Sequence, residues 1–166
     1  KSREWTIEFP SAIPRPYTYF GGRTMSVWFD RIHMEPTSME QTRSVEESCQ
    51  QLEAILDRLV ASGVPPAKIA IGGFSMGGGI AIQAALRSKY DLGGAFALSS
   101  YLCDDAAIYE ALAGEHPAPG PRIWMAHGES DNFVRPSWGE ATAKRLRGYG
   151  IEVAWRSYPG VQHELT

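Results

Sequence analysis

The stretch Ile69-Ala70-Ile71-Gly72-Gly73-Phe74-Ser75-Met76-Gly77-Gly78-Gly79 decides how this chain is read. Its first six residues are apolar or small and carry no charge, as a strand buried on both faces does. From position 76 to 89 the pattern turns helical. At the junction lies Gly73-Phe74-Ser75-Met76-Gly77, a G-x-S-x-G match. A chain with 17 glycines can produce that pattern by chance, so the flanking strand and helix carry the weight. A serine on such an elbow sits in a strained turn with room only for small neighbours, and Gly73, Gly77, Gly78 and Gly79 supply that room. The helix start also aims unpaired backbone N–H groups, that of Met76 included, toward a developing oxyanion. Ser75 is therefore the candidate nucleophile.

Outward from the elbow, strands alternate with helices. Residues 94–98 and 123–126 read as buried strands, and 151–157 as a partly exposed one in which apolar residues alternate with Glu152 and Arg156. Residues 105–113 read as a short helix. A longer one opens at Ser137 and runs to Arg147, with Glu140 completing a capping box. Upstream, Ser44 and Glu47 form the same pattern, followed by Val45, Cys49, Leu52, Leu56 and Leu59 on one helix face. Gly63, Pro65 and Pro66 end that helix. Residues 5–9 read as a short strand stopped by Pro10, and 11–22, with Pro14 and Pro16, as an irregular loop. The expected fold is a single α/β domain over 1–166, with a mostly parallel sheet and helices on both faces.

Composition narrows the function classes. The 16 basic and 19 acidic residues give a net charge of −3 with no basic stripe, which argues against nucleic acid as a partner. No apolar run reaches the length of a membrane span; the longest low-charge stretch, 69–86, is broken by five glycines and Ser75. Cys49 and Cys103 form no ligand pattern and no disulfide framework, so they are expected as buried free thiols in a reducing compartment. The chain begins at Lys1 without a Met, and cytoplasmic localisation follows by elimination. No His, Cys and carboxylate cluster has metal spacing, and neither metal nor cofactor is expected.

A serine hydroxyl needs a base to become a nucleophile. On this fold the order along the chain is Ser, then the acid, then His, which sets aside His33. His116 lacks an acid at a preceding strand end, and His127 is expected to make structural hydrogen bonds within its loop. His163 follows the last strand, where sites collect in open α/β sheets, and is the candidate base. The loop after strand 123–126 offers Glu129 and Asp131, either of which could hold the imidazole tautomer. Asp30, Asp104 and Asp105 are expected to cap turns or face solvent.

Ser75 within GGFSMGG, Asp131 within HGESDNFV and His163 within GVQHEL resemble the three catalytic blocks of the acyl-protein thioesterase and lysophospholipase-like carboxylesterase family. Val27-Trp28-Phe29-Asp30 and Phe96-Ala97-Leu98-Ser99-Ser100 match it too, and the resemblance covers nearly the whole chain. Met76 and the Ser100-Tyr101-Leu102 run are closer to the lysophospholipase-like branch than to the thioesterases proper. The resemblance implies an α/β-hydrolase that cleaves esters or thioesters through an acyl-enzyme on Ser75. It favours Asp131 over Glu129 and makes the Met76 N–H an oxyanion donor. Its substrates would be acylated proteins, released by depalmitoylation, or small esters, with transient contact to membrane-bound substrates. That branch suggests a shallow pocket for short acyl chains, and Trp28 and Leu102 are candidates to line it.

The same resemblance implies a further strand between 5–9 and 69–74, an upstream His-Gly loop giving a second oxyanion donor, and a helix after His163. Nothing among the 166 residues matches these, so the domain is expected to be incomplete at both ends; a chain truncated there is expected to have a ruptured sheet and weak or no activity. Loss of one oxyanion donor costs about 10²–10³ in turnover. The alternative expectation is a non-catalytic interaction protein that retains the hydrolase fold.

Overall fold

A computed structural model describes residues 5–114 and 120–165. Along the chain run strands β1 (Pro14–Tyr17) and β2 (Arg23–Ser26), helix α1 (Thr42–Ala61), β3 (Ala70–Phe74), α2 (Met76–Arg87), β4 (Gly94–Leu98), α3 (Ile108–Leu112), β5 (Ile123–Gly128), α4 (Pro136–Gly148) and β6 (Val153–Tyr158). β3, β4, β5 and β6 form one parallel sheet in sequence order. The α/β class expected from the sequence is thus present.

Every crossover in this sheet steps the same way. Right-handed connections then place all the connecting helices on one face. Ile82 and Ala85 of α2 and Ala143 and Leu146 of α4 close over Ala95, Ala97, Ile123 and Met125, with Leu56 of α1 and Ile108 of α3 in the same core. The stripe expected on α1 is buried: Val45, Cys49 and Leu52 join Phe29, Ile80 and Ala84 in a second cluster. The expectation of helices on both faces is not met by the described residues. On the opposite face Gly72, Phe96, Trp124 and Ala154 lie in register across the four strands, and Phe96 and Trp124 are 38% and 41% exposed.

Other expectations are corrected at the N-terminal side. Residues 5–9 form no strand, because no neighbouring strand completes a ladder with them; Trp5, Ile7 and Phe9 are exposed. The segment is tied to α1 instead, through Glu8 with Arg58 at 2.6 Å and the Gln51 amide to the Ser11 carbonyl at 2.8 Å. Much of 11–22 is not irregular: β1 pairs antiparallel with β2, and Pro14 and Pro16 are tolerated in this two-stranded ribbon. Gly21 and Gly22, with φ of 67° and 79°, make its turn.

Neither capping box forms. α1 starts at Thr42, Ser44 Oγ donates to the Gln41 carbonyl, and the Glu47 carboxylate pairs with Arg15 and Arg43. α4 starts one residue before Ser137, with Pro136 in its first turn, where a missing N–H costs nothing. α2 stops at Arg87, short of 89, and α3 covers only 108–112 of the expected 105–113. β5 runs two residues past its expected end, and β6 begins two residues late.

Candidate active site

The elbow is built by the packing of α2 on the sheet. Ser75 has φ 54° and ψ −122°, a region that costs a non-glycine residue about 1–3 kcal/mol and persists only where the surroundings hold it. Here they do: its N–H donates to the Leu98 carbonyl at 2.8 Å, and its carbonyl accepts from Gly78 and Gly79 at 3.0 and 3.3 Å. A Cβ on Gly73 would overlap the Gly77 backbone, and one on Gly78 would stand 2.8 Å from Ser100 Cβ. The glycines thus let α2 start directly against the end of β4. Met76, the first residue of α2, has no preceding turn to receive its N–H.

Two loops at the carboxyl ends of β5 and β6 bring the other groups. Asp131 is buried, and its Oδ1 accepts the N–H groups of Phe133 and Val134 at 3.0 and 2.8 Å. That turn leaves Oδ2 free to accept from His163 Nδ1 at 2.7 Å. The two loops are laced together: Glu129 N–H donates to Tyr158 and Ser130 N–H to Val161, at 2.9 and 3.0 Å. A Cβ on Gly128 would overlap the Val161 carbonyl. The His163 ring stands between Phe74 and Phe133, with centroids 4.6 and 5.1 Å away. Its Nε2 lies 3.0 Å from Ser75 Oγ. Because a carboxylate only accepts, Nδ1 carries the proton and Nε2 is left bare toward the serine.

The remaining candidates are elsewhere. Glu129 accepts from Ser157 Oγ at 2.7 Å at the surface and does not reach His163. His127 is buried; its Nε2–H donates to the Val134 carbonyl at 2.8 Å, with Asp131 Oδ2 3.4 Å away, and burial pushes its pKa down from 6.5. His33 offers its backbone N–H to Ser38 Oγ. His116 lies outside the described residues. Asp30 accepts from Thr18 and from the Arg31 N–H, and Asp105 from the Glu40 N–H. Asp104 is exposed.

Of the two pocket candidates, only one is near the elbow. Trp28 is half-buried against the second cluster, and its Nε1 would be 3.8 Å from a Cβ on Gly77. Leu102 is instead part of the main core, its N–H bonded to Thr142 Oγ1 at 3.0 Å. The turn after β4 carries it inward, below the helices. A shallow surface depression at Ser75, with no enclosed space for a water molecule, is lined by Arg31, Met76, Ser100, Tyr101 and Val134. The sequence reading missed Arg31 and Tyr101. The available signal was position, since each directly follows a segment matching the family, 27–30 and 96–100.

Cys49 and Cys103 are free and buried, and burial pushes both thiols up to about 11. Among the described residues no group of three or more His, Cys, Asp and Glu is placed to hold a metal ion. No described helix is long and apolar enough to cross a membrane.

Residues 2–166 match the family described as Phospholipase/Carboxylesterase. Lysophospholipase-like protein 1 of Mus musculus is 36% identical over 160 residues, 96% of this chain and 66% of that protein. Acyl-protein thioesterase 1 of Gibberella zeae is 31% identical over 171 residues, covering all of this chain and 73% of that one. Among solved structures, Arabidopsis thaliana SOBER1 superposes with a TM-score of 0.86 at 28% identity, over 96% of this chain and 76% of its own. The chain spans 59–73% of the length of four curated relatives it matches.

Proposed function

Since the chain belongs to the phospholipase/carboxylesterase family, we propose that it hydrolyses carboxylic esters or thioesters through an acyl-enzyme on Ser75. The observation that supports this most is the continuous relay from Ser75 Oγ to His163 Nε2 at 3.0 Å and from His163 Nδ1 to Asp131 Oδ2 at 2.7 Å. Ser75 Oγ attacks the carbonyl carbon while His163 Nε2 takes its proton. The Met76 N–H stabilises the oxyanion. His163 then gives the proton to the departing alcohol or thiol, leaving the acyl group on Ser75. Water, deprotonated by the same Nε2, releases the acid. Asp131 remains a carboxylate, fixing the tautomer and stabilising the imidazolium.

The substrates are acyl groups on protein cysteine or small esters, taken from the cytoplasm or from membrane-bound acylated proteins. The depression at Ser75 is shallow, which suits short acyl groups, and Trp28 stands beside the elbow as an apolar wall.

A fluorophosphonate probe tests the assignment directly. The 166-residue chain should label and Ser75→Ala should not; labelling that persists in the variant would remove Ser75 from its role. With p-nitrophenyl butyrate, Ser75→Ala and His163→Ala should each lose about 10³-fold or more in kcat.

A second reading is a non-catalytic interaction protein that keeps the fold. Its supporting observation is the exposed Phe96 and Trp124 on the uncovered sheet face. It predicts no labelling and no ester hydrolysis by the intact chain.

A further inference from the structure

Arg31 is the unusual charge in this molecule. It is 6% exposed, and none of the ion pairs among the described residues includes it. Its Nη1 donates to the Met34 thioether at 2.7 Å, a weak acceptor, and its Nε is buried with no partner. The nearest carboxylate in sequence, Asp30, is already occupied by the Thr18 N–H at 2.7 Å, the Thr18 hydroxyl at 2.6 Å and the Arg31 backbone N–H at 2.8 Å. The rings of Phe29 and Tyr101 lie 5.2 and 5.0 Å from the guanidinium carbon. They offset part of its desolvation through their faces, and leave its Nε–H unspent.

Two more polar atoms share this condition. The Tyr101 hydroxyl and Ser100 Oγ are both buried without a hydrogen-bond partner. Ser100, Tyr101 and Arg31 line the same depression as Ser75 and Met76. An unsatisfied buried polar group is costly, and a charged one more so. The three atoms belong to residues that line one shallow depression beside Ser75, and an acceptor arriving with a ligand would satisfy them. A planar anion suits it: guanidinium presents its donors in a fork matched to carboxylate, and both hydroxyls can donate to the same group.

We propose that Arg31, assisted by the Tyr101 and Ser100 hydroxyls, binds a carboxylate that the substrate carries close to its scissile carbonyl. The preferred substrates are thus half-esters and related anionic short-chain esters or thioesters rather than neutral lipids. This rests on the hydrolase reading for turnover, although the carboxylate site itself does not.

Three probes separate the possibilities: p-nitrophenyl butyrate is neutral, mono-p-nitrophenyl glutarate carries the carboxylate on the acyl side, and 4-butyryloxybenzoate carries it on the leaving group. For one of the two anionic esters, kcat/KM should exceed that of the neutral ester by about tenfold or more, as a charge-assisted contact provides. The ester that is preferred identifies the side on which the carboxylate sits. Arg31→Gln should bring that ratio to about one, Tyr101→Phe should lower it partly, and Arg31→Lys should keep part of it. Binding is read independently as the rise in melting temperature given by free glutarate, expected for the native chain and Arg31→Lys and absent for Arg31→Gln. A ratio that Arg31→Gln leaves unchanged would overturn the proposal, as would the absence of both a preference and a glutarate effect in the native chain. If every ester is inert while glutarate still acts through Arg31, the hydrolase reading fails and the carboxylate site stands.

Discussion

The two faces of the parallel sheet are made by the same strands and differ completely. Ala97 and Met125 are sealed under helices, while Phe96 and Trp124, one residue away on each strand, are more than a third exposed. Composition does not distinguish them, since the uncovered row holds the larger apolar side chains. What separates them is the direction of the chain: four strands laid down in one order with right-handed crossovers build one face only. The candidate site depends on the built face. Packing of α2 against β3 and β4 seats Ser75 in its strained turn, and the bare face contributes no side chain to the Ser75–His163–Asp131 relay.

Truncation on the covered face should cost most. Leu146 of α4 is fully buried in the main core, so Leu146→Ala should lose about 2–5 kcal/mol in chemical denaturation. A loss below about 1 kcal/mol, the scale of a surface change, would show that the covered face is loosely packed and the contrast overstated. Gly128→Ala comes next. Its new methyl must displace the Val161 carbonyl, at about 1–3 kcal/mol for overpacking. Because the same movement carries His163 away from Asp131, fluorophosphonate labelling of Ser75 should slow by more than about tenfold, as a misplacement of about 1 Å can cost 10². On the bare face, Trp124→Thr should change stability by about 1 kcal/mol or less. It should also reduce binding of an apolar dye, which reads exposed apolar patches. A loss as large as that of Leu146→Ala would mean that the outer face is a core of its own.

The parts legible in the sequence were those set by short-range chemistry. β4 was read at its observed bounds and β3 to within one residue, because uncharged apolar runs bounded by turn residues have few other uses. The neighbourhood of Ser75, His163 and Asp131 followed from a motif plus chain order, whereas the choice of Asp131 over Glu129 came from resemblance alone. Residues 5–9 alternate as a strand should, yet alternation cannot supply the neighbour that a ladder needs. The β1–β2 ribbon was hidden by Pro14 and Pro16, which signal a loop until a partner strand is seen on their open side. Nothing local in the sequence separates a pocket position from a core one at Leu102, and only the path of the backbone after β4 places it in the core. Arg31 and Tyr101 had only their positions after family-like segments to mark them; that their buried atoms lack partners is a property of packing that no local pattern records.

The smallest expected effect tests whether the covered face extends as far as the site. Along β5, Ile123, Met125 and His127 alternate toward the helices, and α4 closes on the last of them so tightly that a Cβ on Gly139 would stand 2.7 Å from His127 Nδ1. Burial holds the His127 pKa below its ordinary 6.5 by disfavouring the imidazolium, against the opposing pull of the Val134 carbonyl and Asp131. The unfolded chain therefore binds the proton more readily than the folded one. Stability from neutral His127 is complete above about pH 6.5 and is lost as the pH falls from there through the lowered folded value. His127→Gln keeps an N–H for the Val134 carbonyl and cannot titrate. Its melting temperature should fall less than that of the native chain between about pH 8 and pH 5, although its value at pH 8 is expected to be similar or lower. Parallel curves for the two proteins would show that water reaches His127, and that the covered face ends before the site begins.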